Sequence, residues 1–151
     1  MINALRISLA DLLRREGATI VADIKQQLPE ASGELKESVE FRVTQEGSTS
    51  RLQILAAPDF RFVELGRKPN TGKQPPLDAV RKWCDHKGIP VRYAFVIARA
   101  IQRNGVRPKH VLKHVLPRAT EALAFKVRNI FKDAIKVEGI NLVRRVFTKV
   151  G

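Results

Sequence analysis

His110 and His114 stand four residues apart, the spacing that can place two imidazoles on one helix face as zinc ligands. Zinc needs a further ligand, and the nearest neighbours are Lys109 and Lys113, whose charge opposes a bound cation. Glu121 lies seven residues past His114, but Pro117 falls between them. The pair therefore reads as two imidazoles in a basic, partly exposed segment. His86 stands next to Asp85 and reads as half of a surface pair. Cys84 is the only cysteine, which excludes an internal disulfide and a multi-cysteine metal site. It falls on the inward side of a short helical stretch beside Trp83, the setting of an inert buried thiol.

Residues 66–76 read Gly-Arg-Lys-Pro-Asn-Thr-Gly-Lys-Gln-Pro-Pro and invite comparison with a phosphate-binding loop. That motif is Gly-x-x-x-x-Gly-Lys-Ser/Thr opening directly into a helix. Here five residues separate Gly66 from Gly72, Gln74 stands where the hydroxyl is needed, and Pro75-Pro76 block the helix. No serine sits in a Gly-x-Ser-x-Gly elbow. Glu64 is the one carboxylate close to the loop, and a single carboxylate cannot do paired acid–base work. Neither enzyme activity nor a cofactor or metal is expected.

The elements that must position these residues follow from composition and periodicity. The chain has 151 residues, of which 44% are hydrophobic, enough for one hydrophobic core. A single domain over 1–151 is expected. The longest apolar run, Tyr93 to Ala98, has six residues and is far too short to span a membrane. Arg6, Asp11, Arg14, Arg15 and Glu16 interrupt the N-terminus, so the chain is expected to lack a signal peptide and to begin in solution in a cytoplasm.

Leu5, Leu9, Leu13, Ile20, Ile24 and Leu28 recur near the helical period and predict an amphipathic helix over 2–28, with Gly17 inside it and Pro29 stopping it. Residues 32–38 read as a short connecting turn or as one helical turn. Val39, Phe41 and Val43, then Leu52, Ile54 and Ala56, alternate with polar residues around the segment Gln45 to Ser50, which predicts a hairpin. Phe60 to Leu65 reads as a third short extended piece ending at Gly66, and 66–76 as a loop. Residues 77–87 form a helix with Ala79, Val80, Trp83 and Cys84 inward, stopped by Gly88 and Pro90. Residues 92–104 form another with Ile97, Ala100 and Ile101 inward. The last long helix is expected to begin near Pro117, to pack through Leu123, Val127, Ile130 and Ala134, and to end at Gly139. Ile140 to Phe147 suits a helix or a strand. The fold class is α+β: a long N-terminal helix, a small antiparallel sheet, and helices on one face including a long C-terminal one.

Charge is uneven. Of 28 Lys+Arg and 15 Asp+Glu, residues 99–151 hold 13 and 3, a local excess of +10 in a total of +13. Such an excess suits an acidic partner, either nucleic acid or an acidic protein surface, and equally a solvated face. The seven Phe, one Trp and one Tyr do not interleave with the cations as a base-stacking platform would.

Several segments together resemble a family. Ser32-Gly33-Glu34-Leu35-Lys36-Glu37-Ser38 precedes the first strand. Phe62-Val63-Glu64-Leu65-Gly66 leads into a loop with Pro69, Pro75 and Pro76. A short helix carries Trp83 and closes at Lys87-Gly88. Ala94, Ile97, Ala98, Arg99, Ile101 and Gly105 mark the next helix, and His110-Val111-Leu112 leads into the last. In this colinear order the chain resembles the bacteriophage head–tail joining and tail-completion proteins, also described as minor tail components, over about residues 32–123. Leu65 stands where that pattern has an aromatic residue, and His110-Val111 where it has Pro-Phe.

The resemblance implies a virion structural protein without enzyme activity. It implies a homo-oligomeric ring, six-fold or twelve-fold, in the neck or at the head-proximal end of the tail. Its neighbours would be the portal or adaptor and the tail-tube or tail-terminator proteins, with genome DNA passing through the channel. Within that picture, loop 66–76 and a flexible or strand-forming tail at 138–151 are natural extensions. Arg67, Lys68, Asn70 and Lys73 become candidate inter-subunit contacts, ordering on assembly, and Arg92, Arg99, Arg103 and Arg107 a candidate basic docking face. A small basic protein that binds nucleic acid non-specifically is the alternative.

Overall fold

Ile2 to Gln27 coil into α1 because leucine and isoleucine recur on one face, and a single hairpin then separates the N-terminal helices from those that follow. A computed structural model describes residues 2–29 and 33–149. The elements are α1 (Ile2–Gln27), α2 (Gly33–Ser38), β1 (Glu40–Glu46), β2 (Thr49–Leu55), α3 (Phe60–Leu65), α4 (Leu77–Lys87), a 3-10 turn (Val91–Tyr93), α5 (Ala94–Asn104) and α6 (Val111–Lys149). The class is α+β, with one antiparallel hairpin, β1–β2, and long helices at both ends. The chain divides into two compact units assembled from alternating stretches, which leaves no linker or composition break to read in the sequence.

Unit 1 comprises Met1–Val21, Phe41–Ile54 and Val115–Gly151. Its core holds Ala10, Leu13, Ile20, Val21 and Val115, and each buried aliphatic side chain contributes about 1.5–3 kcal/mol. The hairpin turns through Gly47 at φ 59°, a conformation that side chains resist. Phe41, Val43, Leu52 and Ile54 share the half-buried face of the sheet. Gly17 lets α1 press on that face: a Cβ there would stand 2.6 Å from Phe41 Cδ2 and 2.8 Å from Leu52 Cδ1. Glu16 is buried beside it, and its carboxylate accepts from Lys126 Nζ of α6. Leu123, Val127, Ile130 and Ala134 lie half-buried along α6, at the spacing that predicts a packing face.

Unit 2 comprises Ala22–Glu40 and Leu55–His114. Val80 and Cys84 of α4 pack on Ala94 and Ala98 of α5, joined by Leu77, Ile89 and Ile97. The α4 helix ends as a left-handed glycine allows, with Gly88 at φ 67° and ψ 24° and Ile89 N donating to Cys84 O at 2.9 Å. Ser38 Oγ donates to Leu35 O at 2.7 Å and accepts from Ala57 N at 3.1 Å, tying α2 to the chain that leaves the hairpin.

Several expectations are corrected. Phe60–Leu65 is a helix, not an extended piece: Ala57 O and Asp59 O accept from Phe60 N (2.9 Å) and Phe62 N (3.0 Å), and the inward residues Phe60, Val63 and Glu64 have helical spacing. The last helix begins at Val111, so Pro117 lies inside it, and it continues through Gly139 to Lys149. Gly139 costs about 1 kcal/mol in a helix, too little to interrupt a helix of 39 residues. The strand alternative for 140–147 is thereby excluded, the tail 138–149 is helical, and 150–151 lie outside the described residues. Gly33–Ser38 form a short helix, in line with the helical-turn alternative for 32–38, and Ser32 lies outside the described residues. Ala56 follows the end of β2 and is exposed. Ala79, Trp83 and Ala100 are exposed, since the α4–α5 contact runs through Val80, Cys84, Ala94 and Ala98 instead.

Candidate functional site

Loop 66–76 carries three of the candidate cations, and local chemistry explains the path it takes. Gly66 ends α3 at φ 68° and ψ −165°, a conformation open in practice only to glycine. The chain then runs antiparallel to the segment after α5. Arg67 N donates to Val106 O at 2.9 Å, and Val106 N to Arg67 O at 2.8 Å. Asn70, at φ 55°, donates its N–H to Gln102 O at 2.8 Å. Two glycines make this approach feasible. A Cβ on Gly105 would lie 2.2 Å from Arg67 O, and one on Gly66 would lie 2.4 Å from Val106 O.

The loop thus has hydrogen-bond partners within the chain. The same geometry reassigns Arg67. Its guanidinium Nη2 donates to Thr71 O at 3.1 Å and to Lys73 O, so it clasps the loop from inside rather than reaching outward. Thr71 Oγ1 adds a bond to Lys68 O at 2.6 Å. Lys68, Asn70 and Lys73 keep exposed side chains.

Glu64 supplies a second anchor. Its carboxylate accepts from Leu112 N at 2.8 Å and Lys113 N at 3.4 Å, satisfying two amides at the start of α6 with a charge suited to a helix N-terminus. Lys109 N donates to Val63 O at 2.7 Å and His110 N to Glu64 O at 3.3 Å, so α3 holds the whole approach to α6. This role was missed in the sequence, because Glu64 reaches a helix 48 residues away.

The arginines fall into place beside the loop. Arg99 and Arg103 are exposed, one turn apart on the outer face of α5, and among the described residues neither has an ion-pair partner. Arg92 lies over the Tyr93 ring at 5.0 Å and donates to its hydroxyl at 3.2 Å. Arg107 is exposed just after the Arg67–Val106 bridge. The Asn70–Gln102 bond sets the loop against the last turn of α5, the helix that carries Arg99 and Arg103. Apolar neighbours of the arginines went unnoticed: Tyr93, Phe95 (55% exposed) and Val96 (63%) stand among them. The signal was present, since Phe95 and Val96 lie off the Ala94–Ala98 stripe.

His110 precedes α6 at φ 51° while His114 lies within the helix, so the two do not share a helix face. No group of His, Cys, Asp or Glu among the described residues could hold a metal ion. No described helix is long and apolar enough to cross a membrane. No protein-family model, curated protein or solved structure matches the chain.

Proposed function

We propose that the chain is a structural subunit of a tailed bacteriophage. It is made in the host cytoplasm and built into the virion neck as a homo-oligomeric ring that joins the portal or adaptor to the tail. The ring leaves a channel for DNA, and the subunit acts by docking rather than by bond chemistry.

One observation carries the reading: the colinear motif residues converge on one frame in unit 2. Ser38 ties α2 to the strand exit, Glu64 caps α6, and Gly88 closes α4. Gly105 admits the loop, and Ala94 and Ala98 form the α5 packing stripe. Lys68 and Lys73 then stand exposed on a pinned loop, ready to meet acidic protein.

The test is complementation of a phage lacking the chain with Lys68→Glu/Lys73→Glu, both exposed positions. Filled heads and finished tails should accumulate unjoined. Unchanged infectious yield, or mature particles that lack the chain on immunolabelling, would overturn the reading. Tyr93 beside Arg92, Arg99 and Arg103 favours the nucleic-acid alternative. Tight retention on mixed-sequence DNA that falls steeply with salt would support that alternative instead.

A further inference from the structure

Basic residues outnumber acidic ones 28 to 15, yet three acidic residues line one cleft of unit 2. The cleft, about 410 Å³ in volume, lies between α4 and the segments around α2 and α3. Glu34, Asp59 and Asp78 line it, with Lys82 as the one Lys or Arg among its lining residues. Lys82 pairs with Glu34 at 3.3 Å and Arg81 with Asp78 at 3.1 Å, both at the exposed rim, while Asp59 has no ion-pair partner among the described residues. Leu35, Ala57 and Ala79 give apolar wall, and Trp83, 40% exposed, offers a ring to the opening. An indole beside carboxylates is the environment that receives guanidinium groups and aromatic side chains.

The same unit carries the complementary surface. The outer face of α5 combines Arg99 and Arg103 with Phe95 and Val96, arginine and aromatic residues being those enriched at interface centres. The two surfaces cannot meet within one copy. On α4, Asp78 and Lys82 lie on the side away from Val80 and Cys84, which face α5, and Ala79 and Trp83 flank them. On α5, Phe95, Val96, Arg99 and Arg103 lie away from Ala94 and Ala98, which face α4. Acceptor and donor therefore point outward from opposite sides of the α4–α5 pair. That is a heterologous arrangement, in which copies add head to tail and close a ring when the rotation permits.

We propose that the Trp83 cleft of one copy receives the Arg99–Arg103 face of α5 from a second copy. The proposal rests on the reading of this chain as a self-assembling subunit and names the surfaces that make the contact.

Sedimentation velocity on the purified full chain, over a concentration series at low and high salt, tests it. Arg99→Glu/Arg103→Glu and Asp59→Lys/Asp78→Lys should each weaken association by about tenfold or more. An equimolar mixture of the two variants should restore it, because each acidic α5 face then finds a basic cleft and each native α5 face a native cleft. Circular dichroism checks folding, and if the aspartate variant fails that check, Ala79→Trp fills the cleft and should weaken association equally. Wild-type association that both variants retain, or a mixture without recovery, overturns this interface and leaves the ring reading standing. A wild-type chain that stays monomeric at every concentration also overturns it, and immunolabelling of particles then decides the ring reading by itself. Loss of DNA retention in Arg99→Glu/Arg103→Glu with association unchanged would assign the α5 face to nucleic acid and reject the proposal.

Discussion

Gly105→Ala should release the basic loop, and the size of the effect follows from its surroundings. Gly105 sits at φ 71° and ψ −169°, which costs a side-chain-bearing residue about 1–3 kcal/mol. Its new Cβ would lie 2.2 Å from Arg67 O and 2.9 Å from Pro69 N, both backbone atoms that no rotamer change can move. The loop must retreat by about 1 Å to reach van der Waals distance. That retreat stretches the two Arg67–Val106 bonds and the Asn70–Gln102 bond, each with a net value of about 0.5–1.5 kcal/mol. The sum is about 2.5–7.5 kcal/mol, centred on about 5 kcal/mol.

Gly72→Ala is the control. Gly72 also has positive φ, 66°, but its Cβ would find only Arg67 Nη2, at 3.9 Å. Backbone strain alone then costs about 1–2 kcal/mol. Urea denaturation with a slope of about 2 kcal/mol/M should separate the two midpoints by about 1–2 M. Hydrogen exchange gives a local readout: the Arg67 and Val106 amides should stay protected in Gly72→Ala and exchange rapidly in Gly105→Ala. Equal midpoints and equal protection in the two variants would refute the pinned loop.

Glu64→Ala should lower the melting temperature through loss of about 1–2 kcal/mol of capping at α6, with Glu64→Gln losing about half as much because a neutral acceptor remains; an unchanged melt in Glu64→Ala contradicts the cap. Gly17→Ala gains about 1 kcal/mol of helix propensity but overpacks Phe41 and Leu52, which costs about 1–3 kcal/mol. Net destabilisation is therefore expected in chemical denaturation, relieved when Phe41→Leu is added, and a more stable single variant would show that α1 does not press on the hairpin.

Much of the fold was legible locally. Leucine spacing marks α1, alternation marks the hairpin, and Gly88 with Pro90 marks the end of α4, because each signal is complete within a few neighbouring residues. The candidate site was legible only in part. Lys68, Lys73, Arg99 and Arg103 are exposed as their chemistry suggests, but Arg67 turns inward because unpaired loop carbonyls lie within its reach.

By itself, then, the sequence determined the α+β class, most helix bodies, the hairpin and the basic bias of the C-terminal third. Tertiary structure alone decided that Phe60–Leu65 coils, since Phe60, Phe62 and Glu64 fit alternation while Phe60, Val63 and Glu64 fit a helix equally well. It alone placed the start of α6 at Val111, where a distant carboxylate satisfies the first amides. It alone joined the loop to α5 through glycines whose missing side chains matter only once the opposing backbone arrives. Periodicity records which face of an element is apolar, whereas hydrogen bonds and close approaches between residues far apart in the chain exist only after the elements have packed.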